Sequence, residues 1–172
     1  MLATALLLAA PMFMQAEETV KDFKRFYRKE KDPLNKIELI FSLENIDDPG
    51  VAAVMIPILT DENADLAQAA LAVVTQLPSA AARQPLLDLL NEGKSTDLLP
   101  TLLRATADGH WAEFADASRS YLENGDPTVR LWAVTAAGAL HDKLALEPAC
   151  AMVVGDPHSL VRAAAVQTVV IL

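Results

Sequence analysis

The chain has 172 residues, enough for one or two domains with a sizeable core. Ala (30) and Leu (26) make up about a third of it, while Gly (6) and aromatics (5%) are scarce, which is the alphabet of packed helices and not of sheets. A single cysteine excludes a disulfide framework and a multi-thiolate zinc site, and a net charge of -9 argues against a general affinity for nucleic acid.

Residues 1–16, MLATALLLAAPMFMQA, carry no charge and are followed at once by Glu17 and Glu18. A run of this length is short for a membrane span and suits a secretory leader cleaved after Ala16, although no basic residue precedes it and Met14 is bulky for the cleavage site. The expectation is an exported protein, periplasmic or extracellular, with an uncleaved N-terminal anchor as the alternative. Residues 17–31 come next as a basic amphipathic helix, with Val20, Phe23 and Tyr27 at helical spacing among cations. Its expected role is to cap the apolar end of the helices after it, with binding to a membrane surface or an anionic partner as the second reading.

From residue 32 onward the dominant signal is self-similarity. Gly125-Asp126-Pro127-Thr128-Val129-Arg130 aligns with Gly155-Asp156-Pro157-His158-Ser159-Leu160-Val161-Arg162, the latter carrying one extra residue in the turn, and Ala133 and Ala165 each follow the Arg by three. The register extends back from Arg130 through Leu99 and Ala67 to Lys36, at spacings of 31 or 32 residues, so five copies span 32–172. Apolar stripes travel with it: Leu66, Ala70, Val73, Val74 and Leu77 in the second copy, Val129, Ala133, Ala136, Ala137 and Leu140 in the fourth. The first copy, Asn35, Leu39, Ser42, Leu43 and Ile46, is degenerate; the third starts at Leu98 and the last at Val161. Further helices are expected between them at Val51–Leu59, Gln84–Leu90, Glu113–Leu122 and Leu144–Val153, making each copy a helical hairpin. Asp before Pro at positions 32, 48, 126 and 156 reads as N-cap followed by N1.

These residues resemble a HEAT-repeat array. The resemblance rests on Asp126 through Arg130 with Ala133 and on Asp156 through Arg162 with Ala165, supported by Asp61–Leu77 and by Pro57, Pro85 and Pro148; the short period is similar to the HEAT-like repeats of bilin-lyase-type proteins. It implies an all-α, right-handed α/α superhelix (solenoid) of about five hairpins with the second helices lining the concave side. It also implies an Asp–Arg ladder, Asp126 with Arg130 and Asp156 with Arg162, broken where Leu99 and Ala67 stand at the Arg position.

Chemistry is sparse. No phosphate loop, catalytic triad order or cofactor motif appears, and the turn aspartates are accounted for as caps. His110 and His141 lie one repeat apart, flanked by Asp108 and Asp142, and would need to converge to hold a metal; two solvated loop histidines are the simpler reading. Cys150 is expected to be a small buried hydrophobe. The exposed strip of the second helices gives the candidate partner-binding residues Phe41, Gln68, Thr101, Arg104, Trp132, Thr135 and Gln167. Trp132 is either a binding hot spot or a wedge between copies. The expected function is non-catalytic protein–protein recognition, without cofactor or metal, as part of a larger protein; Val169–Leu172 lacks a polar end and implies continuation or end-to-end self-association. The alternative that the resemblance permits is a lyase acting on a protein-attached chromophore.

Overall fold

A computed structural model describes the backbone of residues 2–172 and the side chains from Gln15 onward. The expected leader at 1–16 therefore lies almost wholly outside the residues whose side chains are described. The described residues form helices and turns with no strand: α1 (Leu2–Tyr27), α2 (Pro33–Phe41), α3 (Pro49–Met55), α4 (Ala64–Thr75), α5 (Ala80–Glu92), α6 (Leu99–Gly109), α7 (Ala115–Arg119), α8 (Pro127–Ala139), α9 (Leu146–Gly155) and α10 (Ser159–Ile171). Short 3-10 turns lead into α6, α7 and α9. The fold is all-α. Among the described residues no helix is long and apolar enough to cross a membrane. The chain divides into two compact units, residues 1–86 and 87–172, the boundary falling within α5.

In the first unit α1 packs on α2 and α3, α2 on α4, and α3 on α4. Val20 and Phe23 are buried and the Phe23 ring stacks on Tyr27 at 5.0 Å, so the apolar face of the basic helix is used in packing. The basic helix expected at 17–31 is the second half of a longer helix, α1, which begins at Leu2 and ends at Tyr27, four residues short of the expected end. Leu66, Ala70, Val73, Val74 and Leu77 are all buried, as their spacing predicts. The first copy departs from its expected stripe: Asn35 and Ser42 are exposed, while Ile40 and Leu43 are fully buried. Burying an amide or hydroxyl without a partner is unfavourable, so α2 turns its aliphatic residues inward instead. The Ser79 hydroxyl donates to the Asp47 carboxylate, 32 residues away, and accepts from the Ala82 amide at the start of α5.

In the second unit α6 packs on α8, α8 on α10, α7 on α8 and α9 on α10. Val129, Ala133, Ala136 and Ala137 are buried and Leu140 is half-buried. Small residues let α10 come close. A Cβ on Gly138 would stand 2.8 Å from the Thr168 hydroxyl and 3.3 Å from its Cα, and that hydroxyl donates to the Val134 carbonyl at 2.7 Å. Trp111 and Phe114 fill the space beside α6, their rings 4.9 Å apart, and a side chain at Gly109 would collide with the Trp111 indole.

The helix starts reveal a different register from the one that Gly-Asp-Pro suggests. Asp126 caps α8 by accepting from the Thr128 amide, but α10 is capped at His158, and Asp156 lies two residues earlier. There it accepts the His158 amide at 2.8 Å, just as Asn124 accepts that of Asp126 at 2.9 Å. Asp156 therefore corresponds to Asn124 and His158 to Asp126. The same pair recurs as Asp61 with Asn63, and as Glu30 with Asp32. Gly-Asp-Pro is shared by sequence and not by place.

Candidate functional site

Asp32, Asp48 and Asp126 cap their helices with Pro following, as expected; Asp156 does not, because its register puts it two residues ahead of the cap. That place hands its carboxylate to another residue. Arg130 donates from Nε to Asp156 Oδ2 at 2.7 Å and from Nη2 to Oδ1 at 3.1 Å, and Nη1 reaches the Asn124 and Gly125 carbonyls. The side chains of this pair are 11% and 5% exposed. The guanidinium holds the Asp156 carboxyl below the usual carboxylate range, against the opposing effect of burial, and Asp156 raises Arg130 in turn.

The implied ladder is thus corrected: Arg130 pairs with Asp156 and not with Asp126, while Arg162 turns Nη1 to the Asp156 and Pro157 carbonyls. A second such link, which sequence reasoning missed, joins Arg119 on α7 to Asp142, at 2.7 and 3.0 Å. The signal that could have found both is an Arg paired with an Asp ahead of a following helix. An open hollow of about 440 Å³ lies over Arg130 and Asp156, walled by Leu122, Pro148 and Met152. Every N–H of Arg130 already has an acceptor within 3.3 Å, His158 Nδ1 included, so the pair joins helices and offers no donor to a ligand.

The histidines occupy equivalent positions but do not assemble with the aspartates. His110 and His141 both adopt left-handed backbone, φ 50° and 52°, immediately after α6 and after the Leu140 cap of α8. His110 Nδ1 lies 3.1 Å from the Ala139 carbonyl, Asp108 pairs with Arg104, and Asp142 is engaged by Arg119 and by the Leu144 amide. Among the described residues no group of three or more His, Cys, Asp or Glu is placed to hold a metal. Cys150 is exposed on α9 and not buried: Ala149 and Met152 take the inward positions of that short helix, which turns the thiol outward.

Of the candidate partner-binding residues, Phe41 and Gln68 belong to the first unit, where Phe41 is exposed at the end of α2 and Gln68 lies on α4. The other five belong to the second. Thr101, Arg104, Trp132 and Thr135 are half-buried and Gln167 is exposed. Two of them are brought together: the Arg104 guanidinium lies over the Trp132 ring, 5.6 Å from its centroid, and is steadied by Asp108 at 3.4 Å. Trp132 is therefore neither a free surface ring nor a core wedge, but a ring with one face covered by a cation. Thr135 returns its hydroxyl proton to the Leu131 carbonyl.

No protein-family model matches the chain, and no curated protein is found to be similar to it.

Proposed function

We propose that this protein is an exported HEAT-like repeat protein, a solenoid of short hairpins that recognises another protein without catalysing a reaction on it. The reading is supported by the turn and cap that recur at 31- or 32-residue multiples, from Glu30 and Asp32 to Asp156 and His158. The observation that carries it furthest is the Arg104–Trp132 stack between α6 and α8. A half-exposed indole held by a guanidinium combines a large apolar surface, a cation and little conformational freedom, the properties of an interface anchor. Thr101, Thr135 and Gln167 add hydrogen-bonding groups on α6, α8 and α10, and Phe41 and Gln68 are the corresponding candidates of the first unit.

The test is a photo-crosslinking residue placed at 132 in the native host, compared with one at the exposed position 143. A defined protein captured at 132 and not at 143, and lost on Arg104→Ala while the melting temperature stays within a few degrees, supports recognition. Equal capture at both positions, or unfolding by Trp132→Ala, assigns the tryptophan to the core and removes the reading.

A further inference from the structure

The turn that precedes α2, α4, α8 and α10 recurs with one chemical difference. An oxygen of Glu30, Asp61, Asn124 or Asp156 accepts the amide two residues on. At three of these places the oxygen belongs to a carboxylate, whose negative charge resists a nucleophile. At 124 it belongs to a neutral carboxamide, from which ammonia can leave. The residue enclosed by the turn differs as well: Lys31, Glu62 and Pro157 against Gly125. Pro157 has no N–H. Gly125 has one that donates to no acceptor among the described residues, and a Cβ at Gly125 would meet nothing within 4 Å. Of these turns, Asn124–Gly125 alone sets an acyl group open to attack beside an unencumbered backbone nitrogen.

Two hydrogen bonds bias this pair toward reaction. The Asp126 amide donates to Asn124 Oδ1 at 2.9 Å, which draws charge from Cγ and supports the oxygen as it becomes negative. Arg130 Nη1 donates to the Asn124 main-chain carbonyl at 2.7 Å. That carbonyl and the Gly125 nitrogen form one peptide group, so the guanidinium stabilises the anion left when hydroxide takes the Gly125 proton. Nη1 also reaches the Gly125 carbonyl, at 3.1 Å. Arg162 makes the same two contacts to Asp156 and Pro157, where there is no proton to take. Asn124 and Gly125 line the open hollow of about 440 Å³ over Arg130, through which water reaches the turn. We propose that Asn124–Gly125 is a self-modifying site, at which the fold accelerates conversion of the asparagine to isoaspartate and aspartate. The deprotonated Gly125 nitrogen bonds to Asn124 Cγ, the Cγ–Nδ2 bond breaks, and Nδ2 takes a proton from water and leaves as ammonia. The five-membered imide so formed then takes up water. Opening at Cγ gives aspartate. Opening at the main-chain carbonyl, which Arg130 polarises, gives isoaspartate and leaves the freed α-carboxylate at the guanidinium. Arg130 then faces a second carboxylate besides Asp156.

Ageing of the full chain at mildly alkaline pH tests this, followed by peptide mapping for the mass shift of amide-to-acid conversion and for isoaspartate. Conversion is expected at Asn124 ahead of Asn35, Asn45, Asn63 and Asn91, with isoaspartate among the products. It should run roughly tenfold faster in the native chain than in the same chain unfolded by urea at the same pH. Gly125→Pro, which copies the Asp156–Pro157 turn, should abolish it and leave the melting temperature within a few degrees of wild type. The rate comparison uses the wild type and stands whether or not that variant folds. A native rate equal to or below the unfolded one, aspartate as the sole product, earlier conversion of another asparagine, or conversion that persists in folded Gly125→Pro would each overturn the proposal.

Discussion

Arg130 and Asp156 show what one misplaced residue means. Because the guanidinium holds the Asp156 carboxyl low, the pair's contribution to stability is complete above the ordinary aspartate range and is lost as pH falls through the lowered value. Asp156→Asn should therefore flatten the acid limb of the stability curve below the ordinary aspartate range, read by denaturant melts at each pH. Arg130→Met leaves the carboxylate buried alone and should cost about 3 kcal/mol at neutral pH. Two other residues carry a cost of their own. The Ser118 hydroxyl is buried without a partner among the described residues, so Ser118→Ala should be neutral or raise stability by up to ~1 kcal/mol in a thermal melt. His141 sits at φ 52°, where a side chain is strained; His141→Gly should raise stability by roughly 0.5–1 kcal/mol, whereas the same change at His110 also removes the contact to Ala139.

The approach of α10 to α8 depends on Gly138, and Gly138→Ala should destabilise by about 1–3 kcal/mol, with hydrogen exchange accelerated first in α10. Which faces α4 and α8 bury was legible because the stripe of these second helices is spaced by the helix itself: Leu66 to Val74 and Val129 to Ala137 are where their period puts them. Asp32, Asp48 and Asp126 were equally plain, since a cap and the proline after it are adjacent in sequence. What escaped was whatever depends on a neighbour's place. Asp156 looks like Asp126 letter by letter, but a helix start displaced by two residues changes its hydrogen-bond partner. Arg119 finds Asp142 across 23 residues that no periodicity relates. The outward thiol of Cys150 follows from α9 burying Ala149 and Met152, a choice that an all-apolar segment leaves undetermined. Of the candidate site, the helix positions were readable; the cation over Trp132 was not, because Arg104 belongs to a different copy.

At the scale of the molecule, charge is divided unevenly. Residues 17–36 carry seven of the 14 basic groups within a chain of net charge -9. A basic amphipathic helix is a membrane-surface element only while its apolar face is free, and here Val20 and Phe23 are buried against the rest of the first unit. Residues 17–172 should therefore stay in the supernatant with anionic vesicles even at low salt; pelleting that high salt reverses would show that the cations suffice alone. The positions of the two tryptophans, Trp111 and Trp132, have an optical consequence. Both belong to residues 87–172, one enclosed at 1% exposure and one at the surface beneath a guanidinium. Indole emission thus divides into a blue component shielded from iodide and a redder one open to it, and residues 1–86 are dark at these wavelengths. An unfolding curve followed by fluorescence sees half of the chain, whereas the amide circular dichroism sees all of it. Superimposed curves would mean that both halves unfold as one, and a gap between them would date the loss of the half that does not emit.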